Sequence, residues 1–169
     1  RWKELGVLIN YNGYGASIDD LHFAPADLYA RLLPHNNPQH CLDNDPDLIQ
    51  TLSAAYGDDM RQAEMAPRIV EEGALSVVAF PDAPWARRVS GVYGNFLANN
   101  VPDRAHAVLT EIPKGYLVSV RAPLNARQGA DELCRQFPTG GGRAAAAGIN
   151  ELPTDRLDDF VEAMRKQFA

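Results

Sequence analysis

The apolar residues in the first part of the chain recur every three or four positions, a spacing typical of amphipathic helices. In residues 2–10 the apolar side chains at this spacing are those of Trp2, Leu5, Leu8 and Ile9. Further helices are predicted over 25–33 and from Pro46 onward, where Asp45 can act as the N-cap. The prolines and asparagines of 34–46 predict a loop between these two helices.

The pattern changes after Gly73 to short runs of β-branched and aromatic residues separated by turn-forming residues. Strands are predicted over 75–80, 105–110, 116–120 and 147–152, with helices over 85–99 and 130–137 and a last amphipathic helix after 153–155. In chain order these elements read β-α-β-β-α-β-α. The sequence therefore predicts an α/β domain over 74–169, a small sheet flanked by helices, preceded by a mainly helical segment over 1–73.

The composition is that of a soluble globular protein, with 46% hydrophobic and 22% charged residues among 169. The net charge of −6 means that a polyanionic partner would need a local basic patch. No apolar run reaches the roughly 18 residues of a membrane span. Cys41 and Cys134 lack metal-ligand spacing, so we expect buried or free thiols in a reducing compartment and a cytoplasmic protein.

A glycine triplet, Gly140, Gly141 and Gly142, is followed directly by Arg143 and then by four alanines. Glycines leave backbone N–H groups open to a ligand, and a curled stretch of them forms an anion-binding nest. A loop that offers N–H groups beside a guanidinium suits a phosphate or a carboxylate. From these residues alone, a flexible turn before a small-residue core segment is an equally good interpretation.

Other candidate polar residues lie outside the glycine run. Arg121 ends a predicted strand, and Ser119 shares its face, so both can meet the glycine loop. Arg88 follows Arg87 early in a predicted helix; one of the pair can face the same cleft, although a solvated surface explains them equally well. Asp59 is most simply part of the solvated face of its helix.

Three segments of the 74–169 region resemble the DHH-associated domain, the C-terminal substrate-binding domain of the DHH phosphoesterase superfamily. They are Trp85–Asn95, Tyr116–Arg121, and Phe137–Arg143 with the Ala-Ala-Gly of 146–148 after it. This superfamily includes single-strand exonucleases, nano-RNases, cyclic-dinucleotide phosphodiesterases and exopolyphosphatase-like proteins. By the same resemblance, residues 1–73 correspond to the end of the DHH half and its connector.

The resemblance implies a phosphate-bearing substrate, a short single-stranded oligonucleotide or a nucleotide. Gly140–Arg143 would hold the anion, with Arg121 and Ser119 assisting and Arg88 as a further candidate. The family usually has a histidine where this chain has Arg143. An arginine can bind phosphate through a permanently charged fork, but it cannot shuttle a proton.

The superfamily binds two metal ions, usually Mn²⁺ (or Mg²⁺), through Asp and His residues of its N-terminal half. The chain has four histidines and none lies in an Asp-His-His triplet. The closest pattern, Asp19-Asp20-Leu21-His22, is better explained as a helix cap or loop acid cluster. Since the chain begins at Arg1, we expect it to be part of a longer hydrolase, without catalytic or metal-binding residues and inactive alone. A homodimer is one option for its oligomeric state.

Two other functions stay open from the residues. A glycine-rich loop can bind the pyrophosphate of coenzyme A, which would indicate an acyltransferase. That motif needs Gln or Arg three residues before Gly140, where this chain has Phe137, with Gln136 one residue out of place. The second alternative is a non-enzymatic nucleotide-binding module. For this chain alone, it predicts the same ligand binding without turnover as the phosphoesterase hypothesis does.

Overall fold

The computed structural model describes residues 1–169 and contains seven α-helices and six strands. The helices are α1 (Trp2–Tyr11), α2 (Pro25–Leu32), α3 (Pro38–Asn44), α4 (Pro46–Met65), α5 (Pro84–Asn100), α6 (Ala130–Cys134) and α7 (Leu157–Phe168). The strands are β1 (Arg68–Glu71), β2 (Leu75–Phe80), β3 (Ala105–Ile112), β4 (Gly115–Arg121), β5 (Gly140–Arg143) and β6 (Ala146–Leu152). None of the helices has the length and apolar character that crossing a membrane requires.

The six strands form one mixed sheet in the order β1-β2-β3-β4-β6-β5. Only β2 and β3 are parallel, and α5 makes the crossover between them; every other neighbouring pair is antiparallel. The α/β fold class is therefore confirmed, with the four predicted strands at β2, β3, β4 and β6. The predicted helices over 85–99 and after 153–155 correspond to α5 and α7.

Helices cover both faces of the sheet, because the strands alternate apolar side chains toward each. On one face, α6 and α7 pack over a core of 18 buried residues that includes Leu109, Val120 and Phe160. On the other face, α5 packs with α1 and α4 over Val78, Phe80 and other residues of a second cluster. The helical segment and the sheet are thus joined by a continuous apolar contact.

The residues 34–46 are not the loop that their composition predicts, because α3 forms within them. The side chain of Asn37 accepts a hydrogen bond from the backbone N–H of His40, and Pro38 occupies the first turn. This is the same cap-and-proline signal that correctly identified the start of α4, where Asp45 accepts from the N–H of Leu48.

The sheet also begins earlier than the predicted boundary at residue 74, because β1 precedes it. Arg68–Glu71 pairs with β2 in an antiparallel arrangement, with a bulge between Arg68 and Val70. The sequence there has one isolated apolar pair in a charged stretch, which is a weak strand signal. Edge strands of this kind depend on their partner more than on their own residues.

The glycine triplet forms a strand, β5, at the other edge of the sheet, so the expected nest-forming loop is wrong. A Cβ on Gly140 would overlap the carbonyl oxygen of Cys134, and one on Gly142, whose φ is +143°, would lie 2.5 Å from the Cα of Ala147. A Cβ on Gly141 would meet nothing within 4 Å. The outer two glycines thus permit close backbone packing, whereas Gly141 faces open space.

Both cysteines are free and buried, as expected from their spacing. Burial raises the pKa of the Cys134 thiol to about 12, and it also raises that of Cys41. Because the thiolate is the reactive form, both side chains act as small apolar core groups.

A buried ion pair joins the helical segment to α5. Arg88 on α5 contacts Asp59 on α4 through Nε, 2.7 Å from Oδ2, and through Nη2, 3.0 Å from Oδ1. The hydroxyl of Tyr11 at the end of α1 donates to the same carboxylate. Burial and the hydrogen bond to Asp59 raise the pKa of Tyr11, so its hydroxyl keeps the proton that it donates. The sequence analysis assigned Asp59 to a solvated helix face, and this prediction is wrong because the side chain is buried.

A second ion pair lies one residue earlier on α5. Arg87 contacts both carboxylate oxygens of the buried Asp20, at 2.8 and 2.7 Å, and also pairs with Asp82. The Arg87 guanidinium holds the pKa of Asp20 well below its usual range, and the backbone N–H of Ala16 contributes to this shift. The segment 12–20 is therefore tied to the first turn of α5.

We expect Gly140→Ala to destabilise the protein by about 2 kcal/mol, since the added methyl group forces the α6 backbone away from β5. Gly141→Ala is the matched control and leaves the free energy of unfolding nearly unchanged, because its Cβ enters open space. Urea unfolding of both variants measures the difference. Equal destabilisation of the two would contradict the assigned orientations.

Arg88→Ala should cost about 3 kcal/mol of unfolding free energy, because it leaves the Asp59 carboxylate buried without its cation. Arg61→Ala is the control, since Arg61 and Asp58 form an exposed pair on α4 that contributes less than about 1 kcal/mol. Chemical unfolding checks both values, and a partial recovery of stability in the Arg88→Ala, Asp59→Asn double variant would show that the unpaired charge is the cause.

Asp20→Asn should lower stability more at pH 7 than at pH 3. The folded-state pKa of Asp20 is depressed, so its contribution is present above the unfolded value of about 3.9 and is lost as the pH falls. Asp19→Asn, at the exposed neighbouring position, supplies the comparison. Thermal unfolding at the two pH values tests this, and a pH-independent difference would rule out the ion pair as its source.

Candidate functional site

The register of the last three strands brings Arg121 and Arg143 into one row. Arg121 on β4 and Arg143 on β5 both lie opposite Ala146 on the strand between them. Directly opposite residues share a face of the sheet, so both arginines project from the same side, about 10 Å apart at the backbone. Two candidate residues that are 22 positions apart in the sequence thus lie in one row of the sheet.

The neighbouring row on the same face carries almost no side chains. Ser119 lies opposite Gly148, which in turn lies opposite Gly141. Between the two arginines the surface therefore consists of one hydroxyl, exposed backbone and a methyl group. We call this surface, formed by Arg121, Arg143, Ser119, Gly141, Ala146 and Gly148, the two-arginine surface.

The two-arginine surface stays open because α5 covers only part of its face of the sheet. α5 packs against β3 and β4, and on the same face Gly141 and Arg143 of β5 and Ala146 and Gly148 of β6 remain partly or fully exposed. Gly140 and Gly142 point to the opposite face, toward α6 and β6. Of the three predicted glycines, only Gly141 lines the surface; the other two shape its edge.

Arg121 is held by neutral groups only. Its Nε donates to the Oδ1 of Asn95 at 2.7 Å, and its Nη1 donates to the Oγ of Ser119 at 3.0 Å. Its Nη2 donates to the carbonyl of Gly91 at 3.2 Å. Since no carboxylate pairs with it, the fixed guanidinium presents an uncompensated charge to the surface.

Burial lowers the pKa of Arg121, and the positive charge of Arg143 acts in the same direction. Arginine keeps its proton at any physiological pH. The lowered pKa therefore means that the charged guanidinium of Arg121 is less stable in this partly buried position than in water. A bound anion would remove that cost, because it would supply the missing negative charge.

Arg143 is exposed and makes no ion pair or side-chain hydrogen bond with the rest of the chain. Its donors are therefore available to a ligand. A guanidinium with free donors binds phosphate or carboxylate oxygens in a bidentate manner.

Arg88 lies apart from this group, in the buried pair with Asp59 described above. Its third nitrogen, Nη1, donates to the backbone carbonyl of Asp20 at 2.7 Å. All three guanidinium nitrogens thus have protein partners, and these contacts give no support to the expectation that Arg88 binds substrate.

No group of three or more His, Cys, Asp or Glu side chains in the chain is arranged to hold a metal ion. In the Asp19-Asp20-Leu21-His22 segment, Asp20 is engaged by Arg87, and Nε2 of His22 lies 2.9 Å from the Tyr11 hydroxyl. The Mn²⁺ or Mg²⁺ ions that the resemblance implies therefore do not fit the residues of this chain.

Sequence reasoning missed the α5 residues that hold Arg121. Gly91 and Gly94 lie one turn apart, and the Arg121 side chain passes over them; a Cβ on either would lie 3.6–3.8 Å from it. The signal in the sequence was the pair of glycines inside a predicted helix. Glycine destabilises a helix, so its presence there usually means that another group packs closely against the backbone. Asn95 gave no comparable signal.

The fold of the chain is similar to that of several solved structures. The pGpG-specific phosphodiesterase PggH from Vibrio cholerae matches with a TM-score of 0.64 and 13% identity over 98% of this chain. RecJ from Thermus thermophilus, in complex with Mg²⁺, matches with a TM-score of 0.58 and 17% identity over 98%. The DHH domain of a protein from a family of ribosomal proteins matches with a TM-score of 0.54 and 14% identity over 84%.

The chain spans 58% of the PggH chain, 28% of the RecJ chain and 36% of the chain with the ribosomal-protein description. No protein-family model and no curated protein sequence matches it. At these identities the likeness concerns the fold, which agrees with the resemblance seen in the sequence. The fold of the chain therefore matches that of a portion of these solved structures, which include a DHH domain.

Proposed function

We propose that the chain is the substrate-binding portion of a DHH-type phosphoesterase. It binds the phosphate of a nucleotide or a short single-stranded oligonucleotide on the two-arginine surface. The observation that carries this proposal is the row formed by Arg121, Ala146 and Arg143, in which two arginines without carboxylate partners flank an open, nearly side-chain-free surface.

The charge distribution supports an anionic ligand at this place. The chain carries a net charge of −6, so its overall field repels polyanions. Arg87, Arg88, Arg31 and Arg165 are each paired with a carboxylate. Arg121 and Arg143 have no carboxylate partner, and their shared row in the sheet forms a local positive patch of the kind that a phosphate ligand needs.

The arrangement of the surface suits a phosphate better than a carboxylate. A phosphate with three oxygens can accept hydrogen bonds from Arg143, from Arg121 and from the Ser119 hydroxyl, which turns between donor and acceptor roles. The exposed backbone at Gly141 allows close approach, since no Cβ intervenes. A ligand that is long and negatively charged along its length would contact both arginines.

The contribution of this chain to a reaction would be positioning and charge neutralisation, which lower the barrier without proton transfer by the chain itself. RecJ has been solved with Mg²⁺ and with Mn²⁺. The residues of this chain do not form a metal site, so the contribution that we propose for it is binding of the substrate.

The acyltransferase alternative gains no support from the structure. Coenzyme A recognition by a glycine-rich loop uses free N–H groups at the start of a helix. Here the glycines lie in β5, are paired with β6 and lead into another strand. A non-enzymatic nucleotide-binding module would use the same surface and predicts the same binding behaviour for this chain.

Arg143→Ala should weaken binding of a short labelled single-stranded oligonucleotide roughly ten-fold at low salt, because a charge-assisted hydrogen bond to phosphate is lost. The slope of log affinity against log salt should fall by about 0.7, the value for one phosphate contact fewer on a single strand. Fluorescence anisotropy over a salt series measures both quantities.

Arg135→Ala is the matched control for this experiment. Arg135 is also exposed, but it follows α6, which packs on the opposite face of the sheet, and it pairs with Asp131. Its variant should bind like the unmodified chain. Equal oligonucleotide affinity for Arg143→Ala and the unmodified chain would overturn the proposed surface, and binding of acetyl-CoA in place of the oligonucleotide would revive the acyltransferase.

A further inference from the structure

Tyr14 is an exposed aromatic residue in the segment 12–20, which connects α1 to the following helix. Its side chain is 42% exposed, although the apolar body of a tyrosine ring usually packs against other groups. The Nδ2 of Asn10 donates to its hydroxyl oxygen at 2.6 Å, and its backbone N–H donates to the carbonyl of Tyr11 at 3.1 Å. The ring is therefore exposed but held in place at both ends.

The contacts of α5 place this segment beside the two-arginine surface. Arg87, Gly91 and Asn95 are spaced by four residues, so they lie along one stripe of the helix. Arg87 holds Asp20 of the segment, while Gly91 and Asn95 hold Arg121. One stripe of α5 thus binds the segment that carries Tyr14 and, one turn farther along, the arginine of the surface.

The residue after Tyr14 packs directly against Asp20. A Cβ on Gly15 would lie 2.8 Å from the Cβ of Asp20, which Arg87 contacts through both carboxylate oxygens. The backbone of the segment therefore brings Tyr14 to the same stripe of α5 that holds Arg121.

We propose that Tyr14 is a specificity-determining residue that stacks on a base of the ligand whose phosphate lies on the two-arginine surface. This inference rests on the proposed function and adds recognition of the base to binding of the phosphate. Every base offers a π-face to an exposed aromatic side chain, whereas inorganic polyphosphate offers only charge. The surface alone would accept both ligand classes, and Tyr14 distinguishes between them.

The test compares two ligands by isothermal titration calorimetry with the 169-residue chain: a 5′-phosphorylated purine dinucleotide and inorganic tripolyphosphate. Tyr14→Ala should weaken dinucleotide binding about ten-fold, which corresponds to the loss of one base–aromatic contact, and leave tripolyphosphate binding unchanged. Arg143→Ala should weaken the binding of both ligands, because both depend on the charge.

Two control variants separate stacking from other effects. Tyr14→Phe keeps the ring and should retain dinucleotide affinity, although it loses the hydrogen bond from Asn10. Tyr29→Ala removes another exposed tyrosine, on α2, and should change neither affinity. Thermal unfolding confirms that each variant is folded, which is expected because Tyr14 lies outside the three buried clusters.

The outcomes distinguish the inference from the proposed function. If Tyr14→Ala leaves dinucleotide binding unchanged, or weakens both ligands equally, Tyr14 does not read the base, while the phosphate site stands as long as Arg143→Ala weakens both. If the unmodified chain binds neither ligand, or Arg143→Ala changes nothing, the proposed function is wrong and the inference fails with it.

Discussion

The buried contact between Arg88 and Asp59 is the interaction on which the placement of the helical segment depends. Both side chains are removed from water, so each needs the other, and the shared hydrogen bond from Tyr11 brings α1 into the same cluster. The three helices that meet there carry the segment 12–20 with them. The position of that segment beside α5 therefore depends on this ion pair together with the contact between Arg87 and Asp20.

Arginines have two different roles in this protein, and their partners decide which role each one has. Arg87 and Arg88 meet buried carboxylates and act as structural ties between α5 and the helical segment. Arg121 meets only amide, hydroxyl and carbonyl groups, and Arg143 meets none of them, so their charges remain available. The structural charges are thus neutralised, while the charges of Arg121 and Arg143 stay without carboxylate partners in a chain of net negative charge.

The elements that the sequence predicted correctly are those whose own residues carry a strong pattern. β2 is a run of apolar residues, and α5 repeats its apolar positions around the buried Tyr93. The edge strands β1 and β5 were missed because β1 has one apolar pair between charged residues and β5 consists of three glycines and an arginine. They form strands by pairing with β2 and β6. α3 was missed for another reason, since the composition of its region outweighed a cap signal that was present.

For the candidate site, the sequence by itself supplied the residues on which the proposed anion binding rests: a glycine triplet followed by an arginine, a strand that ends in Arg121, and a resemblance that joined them. Only the tertiary structure decided the rest. Strand register assigned Gly141 to the open face and its neighbours to the packed one, and burial turned Asp59 and Arg88 into a structural pair. The physical reason is that a residue's charge and shape are local properties, whereas its partners are brought to it from distant parts of the chain.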